Sequence, residues 1–353
     1  MSKTAKLFFL SGLCLLLAGC AEFLAVSGAD AENGGGIYKL QAEGTFQLVK
    51  ISKLNCLIRA PGARRLYGTT LRGSGGVVVL DPLPLGGYIE TKGVDAGGKT
   101  PCHLTLSPDG KFLYTANYSS GSISEFRLHD GLPSGLPRIV RHHGRGVKLR
   151  QKSPHPHFAD FAPDGRQLYI CDLGTDRVFV YDWAPETGLK IPAAAELTLP
   201  PGSGPRHLVF APDGNTLYVA NELDSTVASF VRDAASGKWE TARIRSTLPK
   251  GAKKEGNYPG AIKITADGRF FFVTNRGDDS VAVFATSGGG DFRLVRTVRS
   301  GGEFPSDLLL TNGDRLLVVG HLKSGGVTSF EFADGVLTPS VTYSVPKCTA
   351  LCE

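Results

Sequence analysis

The sequence predicts an all-β fold, a β-propeller built from one hairpin that is repeated along the chain. Three observations predict it. The composition favours tight turns, since 45 of 353 residues are Gly and 21 are Pro. A Pro-Asp-Gly hairpin returns at the spacing of propeller blades. Strands at the two chain ends lack a hairpin of their own. Closed all-β folds often fill this length as one domain.

The repeated unit is an apolar run, a Pro-Asp-Gly turn and a second apolar run. Clear copies lie at 104–117, 158–172 and 208–221, with weaker ones at 262–275, 308–320 and 57–69. Asp-Gly between apolar runs is a strong hairpin signal, because Gly accepts positive φ and Asp bonds its own backbone. Six hairpins are therefore predicted, with turn glycines at Gly62, Gly110, Gly165, Gly214, Gly268 and Gly313.

Further strands complete each blade. Alternating runs follow the hairpins at 122–128, 177–182 and 280–284, and four antiparallel strands per roughly 45–50 residues are typical of a blade. Segments 23–27, 36–40, 46–50 and 347–352 remain. Joined, they make one more blade and leave no exposed edge. The sequence thus predicts a seven-bladed β-propeller whose last blade is closed by N- and C-terminal strands.

The N-terminus has the pattern of an export signal. Lys3 and Lys6 precede an uncharged apolar run over 7–19, which is short for a transmembrane helix. The run ends in Leu-Ala-Gly-Cys, which resembles the lipobox of bacterial lipoproteins. We expect a lipoprotein signal peptide at 1–19, lipidation of Cys20 and a propeller domain over 20–353, anchored at the periplasmic face, with the outer membrane favoured by Ala21. An ordinary signal peptide is the alternative.

The cysteines do not form a disulfide framework or a metal site. Five remain after Cys14 and Cys20, and none has a histidine at zinc spacing. Cys348 and Cys352 could form one bridge or stay free thiols. The net charge of +6 is too diffuse to indicate nucleic-acid binding.

Hairpin symmetry brings candidate site residues together. Arg206 and Glu222 are each eight residues from Gly214, and His157 is eight residues before Gly165. We expect all three at one mouth of the central channel, where the blades converge. A histidine, an arginine and a carboxylate can support acid–base chemistry there. The alternatives are that His157 has a structural role and that Arg206 and Glu222 form only a cross-strand ion pair. The sequence favours a supporting role for His155.

Several motifs resemble one known group, the lactonase family of seven-bladed propellers. They lie at 101–104, 116–122, 172–177, 204–208, 220–226, 246–249 and 274–277, and the likeness covers nearly all of the chain after residue 34. The family includes bacterial 6-phosphogluconolactonase and fungal carboxy-cis,cis-muconate cyclase. The resemblance implies His157, Arg206 and Glu222 as catalytic residues. Arg276, His155 and Asn221 are the candidates for substrate binding.

The chain also departs from the family pattern. Ala261 and Lys263 replace an acidic residue and a histidine, and Ser306 stands where many relatives carry an arginine. The segment 138–152 is unusually basic. It is expected to be a solvated surface loop, with a patch for a carboxylate or phosphate as the alternative. These departures affect the identity of the expected substrate more than the class of reaction.

The leading hypothesis is hydrolysis of a sugar lactone without a metal or other cofactor. Water attacks the ester carbonyl, His157 or Glu222 takes its proton, and Arg206 stabilises the oxyanion. The expected partner is a small anionic or sugar-lactone substrate. The protein is expected to be a monomer and to contact the membrane only through a lipid anchor on Cys20. Export favours a gluconolactone over a phosphorylated lactone. The alternatives are a non-catalytic binding or scaffold module and a muconate-type lactonizing enzyme.

Overall fold

The computed structural model describes residues 23–41 and 43–353, so the predicted signal peptide and Cys20 lie outside the described residues. In chain order, the first three strands are β1 (Leu24–Ser27), β2 (Gly36–Gln41) and β3 (Gly44–Lys50). The first blade contains β4 (Leu54–Arg59), β5 (Leu66–Thr70), β6 (Gly76–Pro82) and β7 (Tyr88–Asp95). The second contains β8 (Pro101–Leu106), β9 (Phe112–Asn117), β10 (Ser122–His129) and β11 (Leu132–Arg141).

The third blade has an additional short strand. It contains β12 (Pro156–Phe161), β13 (Gln167–Asp172), β14 (Arg177–Ala184), β15 (Gly188–Leu189) and β16 (Ala195–Thr198). The fourth contains β17 (Pro205–Phe210), β18 (Thr216–Asn221), β19 (Thr226–Arg232) and β20 (Trp239–Ser246). The fifth contains β21 (Tyr258–Ile264), β22 (Phe270–Arg276), β23 (Ser280–Gly288) and β24 (Asp291–Arg299). The sixth contains β25 (Pro305–Thr311), β26 (Leu316–His321), β27 (Val327–Ala333) and β28 (Val336–Tyr343).

The seventh blade joins the two ends of the chain, as predicted. Its strand order is β29 (Cys348–Cys352), β1, β2, β3. The C-terminal strand is innermost and contacts the innermost strands of the sixth and first blades. All seven innermost strands contact their neighbours in this way, so the ring is closed. The prediction of a seven-bladed propeller is therefore confirmed.

Helical structure is confined to two short 3₁₀ turns in the described residues, η1 (Ala31–Asn33) and η2 (Leu149–Gln151). None of these helices is long and apolar enough to span a bilayer. The turn η2 lies in the connection between β11 and β12, which becomes important at the site.

The repeated hairpin turns have the geometry that the sequence requires. The six turn glycines have φ between 59° and 70°, a region that a residue with a Cβ adopts only at a cost. Where an aspartate precedes the glycine, it accepts a hydrogen bond from the backbone N–H two residues later, at 3.0 Å for Asp109 and 2.8 Å for Asp213. The turn glycine is therefore common to all six hairpins, and Pro-Asp-Gly sets the turn in the three clear copies.

The hydrophobic core lies between blades. The described residues contain seven clusters of buried apolar side chains, one at each interface between adjacent blades. Between the fourth and fifth blades, for example, the rings of Tyr218 and Phe271 have centroids 4.6 Å apart. Each blade is thus stabilised by burial against two neighbours, at roughly 1.5–3 kcal/mol for each fully buried large side chain.

The propeller has two distinct faces. The Pro-Asp-Gly turns, where the innermost strands end, define the turn face, and the opposite ends of these strands define the mouth face. Leu24 pairs with Cys352 and Ser27 with Cys348, so β1 begins at the turn face.

The five cysteines of the described residues carry free thiols. Cys348 and Cys352 are not bridged, and neither are Cys56, Cys102 and Cys171. Burial raises the pKa of the Cys56 and Cys102 thiols to about 12, so these groups stay protonated at neutral pH. Of the two alternatives for Cys348 and Cys352, the structure supports free thiols.

Candidate functional site

The hairpin symmetry used above needs a correction. Arg206 does not pair opposite Glu222, because Pro205 pairs with Asn221 and His207 with Ala220. Arg206 is the additional residue of a β-bulge. The physical reason is that a bulge places two residues of one strand against one of its partner, so positions equally distant from the turn no longer face each other. The same shift follows Leu54 and Cys348 in other blades, so it does not require a proline.

The same bulge recurs around the mouth face. His157 is bulged between Pro156 and Phe158, and this confirms that His157 and Arg206 occupy equivalent positions in adjacent blades. Further bulges follow Pro101, Pro259 and Pro305. At the last of these, the Ser306 hydroxyl donates to the Cys348 carbonyl at 2.7 Å. This serine therefore ties the sixth blade to the terminal one.

A single carboxylate, Glu222, holds three guanidinium groups at the mouth. It directly follows β18 and is 4% exposed. Its Oε2 lies 3.1 Å from Arg206 Nε and 2.5 Å from Arg276 Nη2, and its Oε1 lies 2.5 Å from Arg150 Nη1. The Arg206 Nε–H is not aligned for a hydrogen bond, so that contact is an ion pair at short distance. The side chains of Arg206 and Glu222 thus meet despite the bulge.

The guanidinium groups keep Glu222 ionised. Burial alone would raise the pKa of this carboxyl, but Arg276, Arg206 and Arg150 outweigh it and hold the pKa far below its usual value. Burial and the charge of Arg276 lower the pKa of Arg206 to about 9, which leaves it protonated at neutral pH. The cluster therefore has a formal charge of +2. This charge suits a developing oxyanion.

His157 is a neutral imidazole beside this cluster. Its Nδ1 is buried and has no hydrogen-bond partner. The His157 ring lies 5.7 Å from Tyr118 and 5.4 Å from His207, between centroids. Arg206 donates from Nη1 to His207 Nε2 at 2.8 Å. Burial, followed by the charge of Arg206, lowers the pKa of His157 well below its usual value, so the ring is unprotonated at neutral pH.

His155 supports the mouth. Its Nδ1 bonds the Tyr118 carbonyl at 2.8 Å, and its ring stacks on the Tyr118 ring with centroids 4.4 Å apart. Its backbone N–H donates to Asp172 Oδ1 at 2.8 Å. These contacts fix the chain two residues before His157. Contact of His155 with substrate stays a prediction.

Asn221 is enclosed within its own blade. The side chain is fully buried and donates to the Thr226 hydroxyl at 2.9 Å. Asn275 makes the equivalent bond to Ser280 at 3.1 Å. This repeated bond stabilises the turn between the second and third strands of a blade. The predicted role of Asn221 in substrate binding is therefore not carried into the proposal below.

Arg276 forms a wall of the site, where the sequence motif placed it. It is the last residue of β22, donates to the Tyr258 carbonyl at 2.9 Å and lies 5.2 Å from the centre of the Phe304 ring. These contacts leave its Nη2 directed at Glu222.

The basic segment 138–152 is only partly a solvated loop, which corrects the expectation. Arg150 reaches Glu222, and Lys148 donates to the Leu223 carbonyl. His142 is fully buried and bonds Asp172 at 2.6 Å. Sequence reasoning missed Arg150 and Tyr118 as site residues. Nothing in the run of basic residues distinguishes Arg150 from its neighbours, whereas Tyr118 follows a recognisable Ala-Asn strand end.

Deeper in the channel, Lys263 faces acidic side chains. Enclosure in the channel raises the pKa of Asp160 and of Asp307, although Asp160 is accessible to solvent, and the charge of Lys263 partly offsets this in both. Lys263 also lowers the pKa of His103, to about 3, although burial is the larger cause. Within residues 23–41 and 43–353, no group of three or more His, Cys, Asp or Glu side chains has an arrangement that could hold a metal ion.

Comparison with known proteins agrees with this architecture. A solved structure described as a periplasmic gluconolactonase, PpgL, of Pseudomonas aeruginosa is 28% identical, with a TM-score of 0.85 over 94% of this chain and 98% of that one. A solved protein of Lactobacillus plantarum is 27% identical, with a TM-score of 0.85 over 94% and 99% of the two chains.

Sequence relatives point the same way. The 6-phosphogluconolactonase of Bacillus subtilis is 31% identical over 236 residues, which span 66% of this chain and 66% of that protein, just under two thirds. The sequence profile of the family described as lactonase, 7-bladed beta-propeller, matches residues 23–352. Lactone hydrolysis is the activity that this membership supports. The chain belongs to the lactonase family of seven-bladed β-propellers.

Proposed function

We propose that the protein hydrolyses a sugar lactone without a metal ion, at the mouth-face cluster of His157, Arg206, Glu222 and Arg276. One observation carries the proposal. A neutral histidine with an unpartnered Nδ1 lies beside two buried guanidinium groups that share one carboxylate. This arrangement combines a proton acceptor with a site for negative charge.

His157 is the general base in this proposal. It takes a proton from water while the water oxygen bonds the carbonyl carbon of the lactone. Arg206 and Arg276 stabilise the tetrahedral oxyanion, as preorganised donors do in low-dielectric sites. The bond from the carbonyl carbon to the ring oxygen then breaks, and the ring oxygen receives the proton from His157. The product is a hydroxy acid.

Glu222 serves as an anchor rather than as the base. Three positive charges favour its ionised form and make its oxygens poor proton acceptors. Its carboxylate fixes the orientation of Arg206 and Arg276. Of the two candidate bases that the sequence offers, the geometry favours His157.

The substrate in this proposal is a gluconolactone or a similar aldonolactone. The support is the likeness to a gluconolactonase and to a 6-phosphogluconolactonase, together with the export signal that the N-terminal sequence predicts. A protein anchored through Cys20 outside the cytoplasm would meet unphosphorylated lactones. The anchor and the location belong to this proposal.

The test is lactone opening by purified protein that begins at residue 21. Glucono-δ-lactone, its 6-phosphate and an unrelated γ-lactone are compared with and without a chelator. We expect chelator-resistant opening of at least one sugar lactone and its loss in His157→Gln. Binding of these compounds with a raised melting temperature but no opening would support a non-catalytic module. Chelator-sensitive opening would overturn metal independence.

A further inference from the structure

Arg150 lies at the solvent side of the Glu222 cluster, outside the residues that the family resemblance implicates. Its Nη1 is 2.5 Å from Glu222 Oε1, and its Nη2 donates to the Tyr118 hydroxyl at 3.2 Å. Its guanidinium carbon is 5.9 Å from the centre of the Tyr258 ring. The side chain is 47% exposed, against 4% for Glu222. A half-exposed arginine thus covers a buried carboxylate.

The loop that carries Arg150 is anchored by buried contacts. This β11–β12 loop covers residues 142–155. At its start, His142 Nδ1 lies 2.6 Å from Asp172 Oδ2, and both side chains are fully buried. Near η2, the Gln151 amide donates to the Leu173 carbonyl at 2.8 Å and to Asp176 Oδ1 at 2.6 Å. These contacts bracket Arg150, so its position is set by the fold.

The anchoring residue Asp172 is particular to this blade. The equivalent position, opposite the first proline of the innermost strand, is Asn117, Asn221 and Asn275 in three other blades. Asp172 accepts from His142 through one oxygen, and through the other from the backbone N–H of His155 at 2.8 Å. One carboxylate therefore holds both ends of the β11–β12 loop, and the second end lies next to the strand that presents His157.

The two oxygens of Glu222 have separate partners. Oε2 is shared by Arg206 and Arg276, while Oε1 is held by Arg150. A carboxylate held at both oxygens by different arginines is restricted in rotation about its terminal bond, and charge-assisted contacts of this kind are stronger than neutral ones. Without Arg150, Glu222 Oε1 would lose this partner, and the carboxylate that orients Arg206 and Arg276 would be free to rotate.

We infer that Arg150 is a positioning residue of the lactonase site, which acts through Glu222 and is delivered by the β11–β12 loop. The inference rests on the proposed function, because it assigns Arg150 a part in orienting the groups that stabilise the oxyanion. Arg150 sets the rate of the chemical step and contributes little to affinity for a neutral lactone.

The kinetic test compares Arg150→Gln, Arg150→Lys and the matched control Arg145→Gln, an exposed arginine of the same loop. With a neutral sugar lactone, we expect Arg150→Gln to lower kcat at least about tenfold with KM within about twofold, since misplaced groups slow the chemical step. Arg150→Lys restores part of kcat, and the control keeps the full rate. An unchanged kcat in Arg150→Gln, or an equal loss in the control, would overturn the inference. If Arg150→Gln does not fold, the test rests on Arg150→Lys. A partial loss of kcat in that variant supports the inference, and an unchanged kcat overturns it.

A second measurement separates this inference from the proposed function. The melting temperatures of Arg150→Gln, Glu222→Gln and the double variant are compared. We expect the double variant to lose less than the sum of the single losses, because each removes the same ion pair. Additive losses would contradict the placement of Arg150 on Glu222. If the wild-type protein opens no lactone while the losses in melting temperature remain non-additive, the proposed function and the positioning role of Arg150 are both overturned. The ion pair between Arg150 and Glu222 would still stand.

Discussion

Arg206 Nε and Glu222 Oε2 lie 3.1 Å apart although the two residues are not opposite each other in their hairpin. The bulge after Pro205 moves Arg206 out of the ladder. Glu222 stands just beyond the end of β18, with its backbone N–H bonded to the Gly204 carbonyl at 2.8 Å. The contact therefore depends on the bulge in the innermost strand and on the hairpin that returns the chain.

Replacement of Arg206 by alanine should remove one donor to the oxyanion. Loss of such a donor typically costs about 10²–10³ in kcat, and we expect a decrease of this size in steady-state lactone hydrolysis. Arg243→Ala is a suitable control, because Arg243 pairs with Asp291 at an exposed site. Equal rates for wild-type protein and Arg206→Ala would place the reaction elsewhere.

Replacement of Glu222 by glutamine should destabilise the fold. It would leave the buried guanidinium groups of Arg206 and Arg276 without a counter-charge, and removal of one partner from a buried pair costs about 3 kcal/mol. Urea denaturation would measure the loss in free energy of unfolding. Glu255→Gln, at an exposed carboxylate, should change it by less than about 0.5 kcal/mol. A similar small change in Glu222→Gln would show that the cluster contributes little to stability.

The pH dependence of hydrolysis should reflect the lowered pKa of His157. A group whose pKa is lowered on folding stays unprotonated as pH falls below the usual histidine value of about 6.5. The base form of His157, and with it kcat/KM, should therefore persist from about pH 8 to about pH 6. A rate profile with its acid limb centred at about pH 6.5 would contradict burial as the controlling effect.

The turn at Gly214 should tolerate asparagine better than alanine. Its φ is 67°, and the nearest atom to an added Cβ would be Pro163 Cγ at 3.8 Å. Space is thus adequate, and only backbone strain remains, at about 1 kcal/mol for alanine. Gly214→Asn should lose less in urea denaturation, since asparagine enters this region more readily. Equal losses would indicate a packing effect instead.

The propeller was predictable because its hairpins are defined locally. Each Pro-Asp-Gly turn carries its own hydrogen-bond acceptor and its own residue for positive φ. The terminal blade followed by elimination, since strands without a hairpin had to pair with one another. The equivalence of His157 and Arg206 was also visible, because both follow a proline at the same distance from a turn.

The remaining features depend on contacts between distant parts of the chain. The symmetric register was wrong because a bulge adds one residue to the innermost strand, and the sequence alone does not show which residue is left unpaired. Arg150 was missed because the path of its loop is set by His142 and Asp172, thirty positions apart. No local pattern distinguishes a basic residue that reaches the site from one that only faces solvent in such a segment.

The start of β1 at the turn face has a consequence for any attachment of the chain. Leu24 lies beside Cys352, at the end of the propeller opposite to the ring of bulges that presents Arg206. A tether that acts through residues before Leu24 would therefore pull on the far end of the molecule. The mouth face, which carries the proposed site, would then point away from the anchoring surface. Substrate would reach it from free solution without passing between the protein and that surface.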